Sequence, residues 1–183
     1  MFNIIEHGFL VIHLNMRIIL AITILAISAI AGFSQTRLGV GEKAPTFAAS
    51  TLDGDYVDLA RLRGSVVVVT FWSTKCVICR SEIPKMNAVA SQYDGKAVFL
   101  ALTMEDSGRV NDFLRANPFK FRIVPDGFPV LMQYADHDRA GNIDMGFPSF
   151  FLIDKGGQIA FRGDGWDKTG SLKDQIDRVL ASR

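Results

Sequence analysis

From Val66 to Trp72 the chain reads Val-Val-Val-Val-Thr-Phe-Trp, apolar at nearly every position rather than at every second one. A strand of that kind has to be covered on both faces, so the run predicts the central strand of a sheet. Ala97 to Met104 repeats the pattern and predicts a second buried strand. Between them Cys76 to Tyr93 has helical spacing, with Ile83, Met86, Val89 and Ala90 on one face. Pro84 lies inside that stretch and predicts a kink. Pro45 to Leu59 alternates around Asp53-Gly54, the signal of a β-hairpin. Ser107 to Asn117 reads as a helix, entered through acidic Glu105 and Asp106 and stopped before Pro118. Phe121 to Val124 is a short strand, and Phe128 to Tyr134 one or two helical turns. Ser149 to Ile153 and Gln158 to Arg162 form a hairpin across Lys155-Gly156-Gly157. Gly170 to Ala181 closes the chain as an amphipathic helix with Leu172, Ile176, Val179 and Leu180 inward. This order predicts an α/β fold with a mixed sheet flanked by helices, carrying an N-terminal β-hairpin extension.

The first 34 residues follow a different pattern. Met16-Arg17 supplies a start and a positive charge, and Ile18 to Ala31 is apolar or small throughout except for Thr23 and Ser28. That run is shorter than the roughly 20 residues needed to span a bilayer. It reads as the core of a signal peptide, with small Gly32 and Ser34 placing cleavage before Gln35. An uncleaved membrane anchor that borrows Phe9 to Leu14 is the competing reading, and Met16 offers an alternative start of translation. On either reading residues 1–34 are a leader and 35–183 are one domain of about 150 residues, large enough for a substantial core. The product is expected to be exported to the periplasm or cell envelope, soluble or N-terminally anchored, and monomeric.

Net charge is +1 over 183 residues, and the leader takes one Arg and one Glu with it. Without a basic face there is no electrostatic footprint for nucleic acid. No nicotinamide or flavin motif is present. Gly39 to Ala44 mimics a dinucleotide fingerprint, but no strand precedes it and Pro45 closes it. No bound cofactor is expected.

Chemistry enters with the two cysteines of the chain, Cys76 and Cys79. An exported protein ordinarily uses cysteines as staples between distant segments; here both sit in one short loop after a buried strand. A Cys-x-x-Cys pair at a strand-to-helix turn is a thiol–disulfide exchange centre. With no third cysteine it closes on itself or on another molecule. Cys76 at the first helical turn meets the positive end of the helix dipole and unpaired N–H groups, which favour the thiolate. Lys75 adds a positive charge if its side chain turns toward the sulfur. Cys79, three positions on, lies nearly behind Cys76 and one turn deeper. Glu82 continues along that buried side. It serves either as acceptor and donor of the Cys79 proton or simply as a complement to the helix dipole.

Three separated motifs carry a family resemblance: Gly41 to Phe47, Phe71 to Pro84, and Phe147-Pro148-Ser149-Phe150-Phe151-Leu152-Ile153-Asp154. In this order, over about residues 39–182, they resemble the TlpA-like (ResA-like) thiol–disulfide reductases of the thioredoxin superfamily. The resemblance implies a thioredoxin fold, Cys76 as nucleophile, Cys79 as resolving thiol and Glu82 as the buried acid beside it. It implies that Pro148 is a cis-proline facing the cysteines and that Phe147 flanks a disulfide-bonded protein substrate, with Lys75 on the same contact surface. Electrons would come from a membrane-bound thiol donor. The chain departs from the family pattern where Lys75 replaces a tryptophan and Ile78 a proline. Lys75 favours the reduced thiolate and so pushes the couple toward the oxidising side; known couples of this architecture span about −270 to −120 mV.

The charged segment from Ala135 to Gly146, inserted before Phe147, reads as a substrate-facing flap or as an ordinary solvated loop. Three other functions compete with a reductase. A disulfide oxidase or isomerase would use the same sulfurs in reverse. A peroxiredoxin-like peroxidase shares the Ala44-Pro45-Thr46-Phe47 opening and has Ser73 in the hydroxyl position of its frame, but Val69 stands where that frame has proline. A metal-binding module would draw on both thiolates and His137, with Asp136 or Asp138.

Overall fold

The computed structural model describes residues 38–138, 140–165 and 167–182. Residues 1–37, Arg139, Trp166 and Arg183 lie outside the described residues, and with them the expectations for signal peptide, anchor and start site. Among the described residues no helix is long and apolar enough to cross a membrane.

Among the described residues seven strands and four α-helices follow one another: β1 (Ala48–Ser50), β2 (Tyr56–Asp58), β3 (Val66–Phe71), α1 (Val77–Gln92), β4 (Ala97–Leu102), α2 (Ser107–Ala116), β5 (Arg122–Val124), α3 (Phe128–Tyr134), β6 (Ser149–Ile153), β7 (Ile159–Asp164) and α4 (Lys168–Ala181). The first two strands form their own antiparallel hairpin, turning through Gly54 at φ +87°, a value that glycine reaches without a Cβ clash. The other five make a single sheet in the order β5-β4-β3-β6-β7. β3, β4 and β5 are parallel, while β6 and β7 run antiparallel to them. This is the mixed α/β architecture expected from the sequence.

The continuous apolar run of β3 is explained by cover on both faces. Val66 and Val68 point into a core with Ile83, Met86 and Val89 of α1, Val110 of α2 and Leu172 and Ile176 of α4. Val67, Val69 and Phe71 point the other way, against Leu131 and Tyr134 of α3 and Phe47, Val57 and Leu59 of the hairpin region. Alternation between faces is therefore present, but both faces are oil. α1 and α4 are further joined by the Tyr93 hydroxyl, which donates to Asp177 at 2.6 Å. Burial, helped by that carboxylate, pushes the phenol up to about 12.

The elements differ from expectation mainly at their ends. α1 starts at Val77, with Cys76 as its cap rather than its first helical residue, and it runs on through Pro84. Leu59 leaves the hairpin and begins a 3-10 turn, Leu59–Leu62, capped by Asp58. β7 continues two residues past Arg162, because Gly163 and Asp164 still pair with Phe150 and Ser149.

Candidate active site

Parallel strands β3 and β4 end in register at Phe71 and Leu102, and the chain leaves both at the same edge of the sheet. The loop after β3, Trp72 to Cys76, holds the dithiol. Cys76 and Cys79 are joined as a disulfide with their Cα atoms 5.2 Å apart. Cys76 caps α1 with extended backbone, and its sulfur accepts the N–H of Cys79 at 3.0 Å. In the reduced protein that donor and the helix dipole both favour a thiolate at this position. The two sulfurs are unequal in access: Cys76 is half-buried, whereas Cys79 is 0% exposed.

On the other side of the dithiol the peptide bond between Phe147 and Pro148 is cis. The Phe147 carbonyl oxygen lies 3.6 Å from the Cys76 sulfur. The Pro148 carbonyl is satisfied by the Gly165 N–H at 2.8 Å, and Ser149 donates to Asp164 at 2.5 Å. The strand-start proline is thus tied into β7 and brought against the helix tip that carries Cys76. Phe147 is half-buried, and Lys75 is exposed beside Cys76.

Glu82 is 1% exposed, one helical turn beyond Cys79. Its two oxygens have separate donors: Lys85 Nζ at 2.9 Å from Oε1, and the Thr169 hydroxyl at 2.8 Å from Oε2. Glu82 lies past the first turn of α1, the range over which a helix dipole acts.

Glu105 and Asp106, both expected at the entry of α2, divide their roles. Asp106 caps the helix, accepting the Arg109 N–H at 2.9 Å. Glu105 turns instead to the dithiol loop: Ser73 donates to it at 2.5 Å and Thr74 at 3.3 Å, and Thr103 also hydrogen-bonds it. Burial pushes its carboxyl up, but the hydrogen bonds from Ser73, Thr103 and Thr74 outweigh that and hold it below the ordinary range. Its backbone carbonyl accepts the Asp126 N–H at 3.0 Å, so one residue links the loops after β3, β4 and β5. The one available sequence signal was an acid just past the end of a buried strand parallel to β3.

His137 pairs across its own segment with Ile143. Among the described residues no three of His, Cys, Asp and Glu gather as a metal site. Trp72 is fully buried between Phe113 and Phe119, at 5.4 and 5.5 Å between ring centres, a packing role.

A half-open sulfur at a helix tip, a second sulfur sealed behind it and a cis-proline loop against the first define a thiol–disulfide oxidoreductase of thioredoxin fold. The chain belongs to the AhpC/TSA family, whose model matches residues 40–162. It is similar to the thiol-disulfide oxidoreductase ResA of Geobacillus kaustophilus, 32% identical over 151 residues that cover 81% of this chain and 80% of that one. It is also similar to ResA of Bacillus cereus, 27% identical over 86% of this chain and 93% of the relative. Among solved structures it resembles a Chlorobium tepidum protein assigned as a DsbE thiol:disulfide interchange protein. That match has a TM-score of 0.68 and 28% identity, over 79% of this chain and 99% of that chain.

Proposed function

We propose that this enzyme works outside the cytoplasm, and that its direction is reduction of protein disulfides. The observation that carries the reading is the inequality of the two sulfurs, Cys76 reachable at the cap of α1 and Cys79 sealed beneath it. The Cys76 thiolate attacks one sulfur of a substrate disulfide; that S–S bond breaks and the other substrate sulfur leaves as a thiolate, protonated by water. Cys79 then gives its proton to Glu82 and attacks the Cys76 sulfur, the mixed disulfide breaks, and the second substrate thiol departs. The substrate gains two electrons and the enzyme is left as the Cys76–Cys79 disulfide. A membrane-bound thiol donor, supplying two electrons, returns it to the dithiol.

Phe147 and Pro148 would meet the substrate segment through the backbone beside Cys76, and Lys75 would lie on its other flank. The ResA and DsbE relatives support disulfide-bonded proteins as the substrate class. The resemblance to TlpA-like reductases supports the direction and, with the leader, the location.

Replacing Cys79 with Ala tests the roles. Reduced C79A mixed with disulfide-bonded protein should accumulate a stable mixed disulfide on Cys76, while C76A accumulates none. The Ala44-Pro45-Thr46-Phe47 opening and Ser73 give a peroxidase as the second reading. It would replace the first if C79A trapped no protein while wild type consumed hydrogen peroxide with an external thiol at an enzymatic rate.

A further inference from the structure

Glu82 is served from two elements. Lys85 lies on its own helix, three residues on, and its side chain is 50% exposed against 1% for Glu82. Thr169 comes from the first turn of α4 and is itself 1% exposed. Lys85 also reaches Asp167, at the entry to α4, at 3.5 Å. The charged groups that these contacts join are Glu82 and Lys85 of α1 and Asp167 at the entry to α4, with Cys79 one turn before Glu82. Donors aimed at both oxygens fix the plane of a carboxylate, and each oxygen keeps a lone pair for a third donor.

We propose that Lys85 and Thr169 are positioning residues for the resolving step: they hold Glu82 so that it takes the Cys79 proton as Cys79 attacks the mixed disulfide. The inference rests on the proposed role of Glu82. Lys85 places a positive charge 2.9 Å from one oxygen of the buried carboxylate. Its own ammonium is held above the ordinary lysine range, chiefly by the hydrogen bond to Glu82, so it acts as a fixed counter-charge. Thr169 locks the second oxygen from α4, which makes the docking of the last helix part of the proton-transfer geometry. During resolution the Cys79 proton passes to Glu82 and then to water. The sulfur–sulfur bond to the substrate breaks as the Cys76–Cys79 bond forms, and neither Lys85 nor Thr169 changes its own proton count.

The test is rapid quenching of the mixed disulfide formed between reduced full-length protein and a disulfide-bonded peptide, with its decay followed across pH. Wild type is compared with Lys85→Met, Lys85→Arg, Thr169→Val, Thr169→Ser and Glu82→Gln. Lys85→Met should slow resolution about tenfold, the size of one charge-assisted hydrogen bond, and move the acid limb of the rate profile to higher pH. Lys85→Arg and Thr169→Ser should restore most of the rate, and Thr169→Val should slow it without moving the limb as far. Alkylation of Cys76 should stay within about twofold throughout, as a proton-transfer defect at Cys79 leaves the first sulfur alone. If Glu82→Gln resolves slowly while Lys85→Met and Thr169→Val resolve like wild type, the positioning inference is overturned and Glu82 keeps its role. If Glu82→Gln itself resolves like wild type, the role of Glu82 fails and the inference fails with it.

Discussion

Glu105 shows what one side chain does for the dithiol loop. Its carboxylate collects Ser73, Thr74 and Thr103, and Ser73 in turn accepts the Lys75 N–H at 3.2 Å, one residue before Cys76. Glu105→Gln should cost about 1 to 2 kcal/mol in urea unfolding at neutral pH, the scale for hydrogen bonds to a half-buried charged group. The sign with pH follows from the lowered carboxyl. Its contribution is complete above the ordinary carboxylate range and is lost as pH falls through the lowered value. The stability gap between wild type and variant should therefore close in acid, and a gap that stays constant down to about pH 2 would contradict the assignment. Cys76, Cys79 and Glu82 were legible in the sequence because their spacing lies within one helix. Glu105 and Thr169 were not, because their partners stand 32 and 87 positions away and only the fold brings them together. Lys85 was within reach of sequence reasoning, three residues from an acid predicted to be buried.

Among the elements, the inserted segment before Phe147 is where the structure adds most. Sequence alone left it as flap or solvated loop, since a charged stretch with glycine and asparagine has no periodicity to read. Its backbone folds back on itself, with His137 bridging Ile143 and Asp138 accepting the N–H groups of Ala140 and Asn142 at 2.8 and 2.9 Å. Its base is fastened to β7 by a two-pronged Asp136–Arg162 pair at 2.8 and 2.6 Å. The Arg162 guanidinium also donates to the Leu38 carbonyl and lies 5.0 Å from the centre of the Phe151 ring. Removing Asp136 leaves the enclosed guanidinium with the longer contact to Asp164, at 3.8 Å, in place of a two-pronged pair. Asp136→Ala should cost about 3 kcal/mol in thermal or urea unfolding, and the double change Asp136→Leu, Arg162→Met much less. An Asp136→Ala protein as stable as wild type would mean that the pair does not anchor the segment. The strands and helices themselves were readable because the buried runs and helical stripes are long. The 3-10 turn at Leu59–Leu62 was not, since its apolar residues continue the alternation of the hairpin before it.

At the scale of the whole molecule, the order β5-β4-β3-β6-β7 decides where chemistry can occur. The central strand β3, buried along its whole length, delivers the dithiol loop. Its parallel neighbour β4 delivers Glu105 to the same edge, and antiparallel β6 begins there just after Pro148. The core therefore holds the site from both faces without placing a cysteine in it as a staple. Stability comes from the packing around β3, and the disulfide is left free to open and close. Cycling of that kind separates an exchange centre from a structural cross-link more directly than any loss-of-function variant. The decisive measurement is equilibration of the wild-type protein with graded mixtures of reduced and oxidised glutathione or dithiothreitol, the Cys76–Cys79 disulfide being counted by alkylation and mass. A two-electron transition with its midpoint between about −270 and −120 mV is the expected result. A disulfide that persists below about −300 mV, as structural disulfides do, or that never exchanges with the added thiols, would contradict the account.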